Sequence, residues 1–257
     1  MKGLPPWSPM GRYTVSGKPW DETTSYQFDG VDDYVLADGA ASIIDFNNDP
    51  HSVSVWLKMA PTAVSLSAMW AFTNSAAANS RYWMSISASG AVVIYGWGNV
   101  GGVYPIGAGG GASITSGSGL DDNAWHNVVV TYNGSNSLKI YIDGGAPASF
   151  TVGAGAITSD VLSFGARRLG GATSYTANAL LFQSTMYTSE VSAGQVALIY
   201  NSGRACNEAL LPVKPAHFYR FGDGDSSFPT VIDYGSSPAN GTAYNMTPAS
   251  VVQDAPP

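Results

Sequence analysis

Apolar and polar residues alternate with a period of two over much of the chain, the spacing of strands that bury one face. The clearest case is residues 124–144, AWHNVVVTYNGSNSLKIYIDG. Its first half is rich in aromatic and β-branched residues. In its second half Leu138, Ile140 and Ile142 alternate with Lys139, Tyr141 and Asp143. Asn133, Gly134 and the polar residues after them supply the left-handed backbone that a hairpin needs. The same spacing recurs at 51–59, HSVSVWLKM, with Val53, Val55 and Leu57 on one face and Ser54, Trp56 and Lys58 on the other. Residues 81–97 read as a hairpin turning at 88–90. There Tyr82, Met84 and Ile86 alternate with Trp83 and Ser85. Residues 25–36 read as two short strands around a turn at Asp29-Gly30. Further strands are expected at 148–152, 161–164, 179–187 and 217–221, with an edge strand at 230–234. One short helix is predicted over about 193–201, opened by a capping box from Ser192 to Gln195 and closed by Gly203 at its C-cap. Val196, Ile199 and Tyr200 would face inward.

Composition supports an all-β reading. Thirty glycines and 15 prolines demand many turns, and only three glutamates occur in 257 residues. A single β-domain of about 250 residues is ordinary. The net charge is −7, and Arg167-Arg168 is the only adjacent basic pair. That argues against a nucleic-acid or anionic-membrane partner. One cysteine, Cys206, excludes an internal disulfide framework. No apolar run approaches the ~20 residues of a membrane span, so no membrane insertion is expected. The first residues lack the apolar core of a signal peptide, which sets the expectation of a chain that is not secreted.

Four stretches carry a family resemblance, in order. They are Phe28-Asp29-Gly30-x-Asp32-Asp33-Tyr34-Val35, the strand at 51–59, Trp125-His126 through Asp143-Gly144, and VLSFGAR at 161–167. The ending Val191-Ser192-Ala193, Val196, Tyr200 fits as well. Together they resemble the laminin-G-like, concanavalin A-like jelly rolls over about residues 26–203. The resemblance implies an all-β sandwich of two antiparallel sheets with one short helix. The expected organisation is an N-terminal arm over 1–20, a jelly roll over 21–203, and a C-terminal extension over 204–257 packed on or beside it. The arm, with Trp7, Tyr13 and Trp20, reads either as a strap on its own domain or as a dock for a neighbouring subunit in a homo-oligomer.

Enzyme chemistry is poorly supported. Glycoside hydrolysis needs two carboxylates facing one cleft, and no Glu-x-Asp-x-Glu strand exists here. Gly-x-Ser-x-Gly and zinc-ligand spacings are absent as well. The Gly-rich connection at 96–119 lacks the Gly-Lys-Ser/Thr of a phosphate loop. No motif requires a cofactor. Calcium is the candidate ion, with Asp29 and Asp32 as ligands in an oxygen-rich turn. Relatives often add an acidic pair on the late strand, whereas residues 180–184 here have none. Sugar binding is the other candidate. Trp83, Trp97, Asn99 and Tyr104 could offer aromatic faces to pyranose rings and an amide to hydroxyls.

The run at 218–246, FYRFGDGDSSFPTVIDYGSSPANGTAYNM, resembles C-terminal segments of laminin-G-like structural proteins of tailed phages. That implies a non-enzymatic virion protein, a capsid decoration or surface appendage. It would dock on other virion proteins through the arm or extension and touch host surface glycans. The alternative is a glycan-binding module of a cell-surface or secreted protein.

Overall fold

The computed structural model describes residues 22–43, 49–61, 66–76, 80–97, 113–153, 157–222 and 228–257. The expected arm at 1–20 lies outside them. In chain order the elements begin with β1 (Ser25–Asp29), β2 (Tyr34–Leu36), β3 (His51–Lys58), β4 (Leu66–Thr73), β5 (Arg81–Ser87), β6 (Val92–Trp97) and β7 (Ser113–Ser116). The middle of the chain forms β8 (Trp125–Tyr132), β9 (Ser137–Ile142), β10 (Ala148–Thr151), β11 (Val161–Phe164), β12 (Arg167–Leu169), β13 (Ala172–Ser174) and β14 (Asn178–Tyr187). It ends with α1 (Ala193–Tyr200), β15 (His217–Tyr219), β16 (Thr230–Val231), β17 (Gly241–Tyr244) and β18 (Val251–Val252).

These strands build two antiparallel sheets packed as a sandwich. The first runs β10-β9-β8-β3-β14-β1-β18, with β15 also paired to β14. The second runs β16-β17-β2-β11-β4-β5-β6-β7. The fold is the all-β jelly-roll sandwich that the family resemblance implies, built from strands that the alternation predicts. Alternate residues of each strand point between the sheets, so Val53, Val55 and Leu57 meet Trp70, Phe72 and Tyr82 in one core.

The C-terminal segment is not an appendage. Strands β15 and β18 complete the first sheet, and β16 and β17 extend the second through β2. Strands β15 and β16 fall within the stretches expected at 217–221 and 230–234, whereas β17 and β18, four and two residues long, show no alternation to read. The connection expected over 96–119 is shorter than read: Trp97 still belongs to β6, and β7 pairs with β6 from Ser113. The helix departs from its expected caps. Ser192 accepts from the Gln195 amide at 3.2 Å, but the Gln195 side chain turns instead to the Val213 carbonyl. Asn201, not Gly203, takes the left-handed cap position, with φ 47°.

The helix decides which sheet face is open. Val196 and Ile199 pack on Val129, Tyr141 and Tyr187 of the first sheet, and Tyr200 stacks on Trp56 at 5.9 Å. Residues 204–211 continue the cover with buried Cys206 and Leu211. Much of the outer face of the first sheet is thereby buried. Among the described residues, no α-helix packs on the outer face of the second.

Candidate ligand-binding face

Register places a row of outward side chains across the second sheet: Ser163 beside Ala71, Ala71 beside Trp83, and Trp83 beside Tyr95. The neighbouring row brings Arg81 beside Trp97. A β-bulge between Ala68 and Trp70 shapes this surface. The extra residue lets Ala68 and Ala71 both face outward under Trp83, while Met69, Trp70 and Phe72 fill the core. Bulges commonly re-aim side chains beside functional sites.

Two small residues make room for a cover. The hairpin β12–β13 turns through Gly170 and Gly171, with φ of 56° and 81°, the backbone a two-residue hairpin loop requires. Adjacent strand residues point to opposite sides. Arg167 therefore reaches Trp83 and Tyr175, with its guanidinium carbon 5.0 and 4.4 Å from the ring centres. Arg168 turns the other way and lies 4.6 Å over Tyr34. Tyr175 follows β13 with φ 54°, a conformation that costs a bulky residue about 1–3 kcal/mol and that clusters at functional sites. The Ala68 amide donates to the Tyr175 carbonyl at 2.8 Å and holds it there.

The result is an aromatic platform with two cations. Trp83 stacks on Tyr95 at 4.4 Å and 7°. Arg81 lies 4.5 Å from the Trp97 ring centre and 5.6 Å from that of Trp83. Burial lowers the pKa of both guanidiniums, and for Arg167 the nearby Arg81 charge adds to the shift. Burial also raises the Tyr95 phenol. Such a surface offers ring faces to the C–H side of a sugar and fixed N–H groups to its oxygens.

The expected sugar residues divide. Trp97 stands on the platform, half-buried. Trp83 is at its base but only 3 % exposed, sandwiched by its neighbours, so it supports the platform rather than presenting a free face. Asn99 and Tyr104 lie outside the described residues. Tyr95, Tyr175 and Arg81 are on the platform and carry no sequence motif, and Arg167, also on it, entered the sequence reading only as the end of the VLSFGAR stretch. The signals that could have found them were the β5/β6 register and the Gly-Gly turn that folds Arg167 back.

The expected calcium ligands do meet. Asp29, Asp32 and Asp33 each place an oxygen within 4.8 Å of the others, and these are the residues that would hold such an ion. Amide hydrogen bonds already organise the turn. Asp29 Oδ1 accepts from Val31 and Asp32, and Asp33 Oδ2 accepts from Asp29. Burial, then the neighbouring carboxylates, raises the pKa of Asp33 against the pull of that amide. His126 lies between two carboxylates, Asp143 at 2.8 Å and Asp122 at 3.1 Å.

Residues 29–197 match the family described as the concanavalin A-like lectin/glucanases superfamily. No curated protein matches the chain. Among solved structures, a putative carbohydrate-binding protein from Bacteroides ovatus has a TM-score of 0.62 at 15% identity, covering 95% of this chain and 66% of that one. The Ruminococcus gnavus IT-sialidase CBM40 has a TM-score of 0.57 at 12% identity, covering 68% and 96%. The same module bound to alpha2,3 sialyllactose scores 0.55 at 12% identity, again covering 68% and 96%. At these identities the likeness is one of fold. With two thirds of its length matched, the chain belongs to the concanavalin A-like lectin/glucanase superfamily.

Proposed function

We propose that this chain is a non-catalytic glycan-binding module that holds sugars on the outer face of its second sheet. The observation that carries the reading is the platform of Tyr95, Trp97 and Tyr175, on the face the helix leaves open. Aromatic stacking, with a few fixed polar groups, is how proteins grip sugars without chemistry. Two of the similar folds are described as carbohydrate-binding, and one was solved with a sialylated sugar. Fold alone does not assign a function, so the weight rests on the platform.

This is the alternative weighed from the sequence, a lectin-like module of a cell-surface or secreted protein. The strands of residues 204–257 pair into both sheets, with β18 and β16 at their edges.

A glycan array with the intact chain tests the reading. Selective retention is expected, falling at least tenfold in Trp97→Ala and Tyr175→Ala while both variants melt like the parent. A blank array, or retention untouched by both substitutions, overturns it.

A further inference from the structure

The helix and the segment after it leave one end of the first sheet's outer face uncovered. Register sets a row of outward side chains there. Gln27 of β1 lies beside Leu180 of β14, Leu180 beside Lys58 of β3, and Lys58 beside Trp125 of β8. After β18 the chain reaches back toward this row. Asp254 Oδ2 accepts from Lys58 Nζ at 2.7 Å, and its Oδ1 accepts from Trp125 Nε1 at 2.8 Å. A hollow of about 410 Å³ opens against the ion pair. That volume is within the range of small-molecule sites, roughly 300–1,000 Å³. Leu180 makes part of its wall apolar, and Gln27, Asn123 and Asn178 bring three carboxamides to it from three separate segments.

Among the described residues, none of these three carboxamides bonds to another protein group. Each keeps two N–H donors and an acceptor oxygen, and Lys58 keeps two of its three donors. The charges cancel. Lys58 pairs with Asp254, and among the described residues no other charged side chain lines the hollow. An ionic ligand would shed its water there without a counter-charge. An apolar ligand would strand the amides. A peptide group carries one donor and one acceptor, too sparse a set for amides that arrive from three segments. A hydroxyl is donor and acceptor on one atom, and a sugar or small cyclic polyol sets several of them around one ring.

We propose that this hollow is a second binding site, which takes a neutral polyhydroxyl ligand, a single sugar residue or a small polyol. Gln27, Asn123 and Asn178 hold its hydroxyls, Lys58 donates to a further oxygen, and Leu180 meets its C–H side. No aromatic ring lines the hollow among the described residues, so the ligand is gripped by its edge and not by stacking. The site lies on the other sheet from the aromatic platform and does not rest on the glycan-binding reading of that platform.

Side-chain amides give their own signals in nitrogen–proton correlation spectra of the intact, labelled chain, so the test reads the site directly. Glucose, galactose, mannose and myo-inositol are titrated, with acetate, methylammonium and N-methylacetamide as charged and peptide-like controls. At least one of the four polyols is expected to shift the Gln27, Asn123 and Asn178 signals saturably, and no control should do so. Gln27→Leu combined with Asn178→Leu should weaken that binding tenfold or more, read on the Asn123 signal. Leu180→Trp, which fills the hollow, should abolish it. Asn123 is kept, because its φ of 65° suits asparagine better than leucine. Both hollow variants should melt like the parent, and Trp97→Ala should bind the polyol as the parent does. No saturable shift with any of the four polyols, a shift matched by a control, a shift that survives both hollow variants, or one lost in Trp97→Ala overturns the second site. Each of these leaves the platform to its own test.

Discussion

His217 holds Asp233 in the same way that His126 holds Asp143. In each pair the ring Nδ1 faces Oδ2 of the aspartate, at 2.6 Å and 2.8 Å respectively. In each, the amide of the next residue, Phe218 or Asn127, donates to Oδ1, at 2.8 and 2.9 Å. One carboxylate therefore fixes both the ring and the backbone at the start of a strand. The C-terminal pair is sealed from water, and its aspartate also accepts from the Gly235 and Ala239 amides. Burial alone would raise the pKa of Asp233, but His217 and the three amides outweigh it and hold it low. The N-terminal pair is more open, and the free side of its ring reaches Asp122.

That difference gives the open pair a pH signature. The bond to Asp143 holds the pKa of His126 above its ordinary 6.5, against partial burial and with help from Asp122. A raised histidine pKa stabilises the fold fully below the unfolded value and loses that effect as pH rises through the folded one. His126→Gln should therefore lower the melting temperature most near pH 6 and least near pH 9. A deficit that stays constant from pH 6 to 9 would mean that the ring acts by packing alone.

Glu208 should show a dependence that a single amide substitution removes. Its Oε2 accepts from Thr185 and Tyr187, each at 2.6 Å, beneath the cover after the helix. Burial pushes its pKa up from 4.5 to about 7, with the two hydroxyls pulling the other way. The stability held by the neutral acid is complete below pH 4.5 and is lost as pH rises through about 7. Glu208→Gln is expected to melt above the parent at pH 8 and level with it near pH 4.5. Parallel melting curves across this range would contradict the assignment.

Gly165 is where the backbone leaves no alternative. Its φ is +76°, and a Cβ there would lie 2.1 Å from the Phe28 ring. Phe28 is fully buried, so the ring cannot retreat without opening the core. Gly165→Ala should cost at least about 2 kcal/mol in denaturant unfolding, from left-handed strain and overpacking together. A loss under about 0.5 kcal/mol would show that β1 can shift at little cost.

The turn at Asp29 separates an ion site from a self-contained loop. Asp33→Asn keeps an acceptor for the Asp29 amide and removes one of three crowded charges. In chelator the variant is expected to melt above the parent. A parent stabilised by millimolar calcium, with the variant insensitive to it, would instead assign the three carboxylates to a bound ion.

Much of the framework was legible because it rests on alternation. The 125–142 hairpin, the 81–97 hairpin and the strand at 51–58 fall where Val, Ile and aromatic residues recur every second position. Strand β4 was missed because LSAMWAFT is apolar on both faces, and its bulge breaks the period at Met69. The platform was half legible. A half-buried aromatic such as Trp97 can be suspected from its place beside a loop. Burial of Trp83 depends on Tyr95, on Arg167 and on two alanines from another strand. Arg167 and Tyr175 become neighbours of β5 only after a Gly-Gly turn and a left-handed tyrosine fold the chain back, and neither geometry has a period to read.

The pairing of the early strands sets an order of events on the ribosome. Strand β1 lies between β14 and β18, and β2 lies between β11 and β17. Every neighbour of these two strands is made more than a hundred residues after them. A nascent chain therefore carries two short strands with bare edges through most of its synthesis. Strand pairing across such distances is slow, and open edges recruit other chains. Yield in cells should then depend on translation speed and on chaperones that shield residues 25–36 until the last strand emerges.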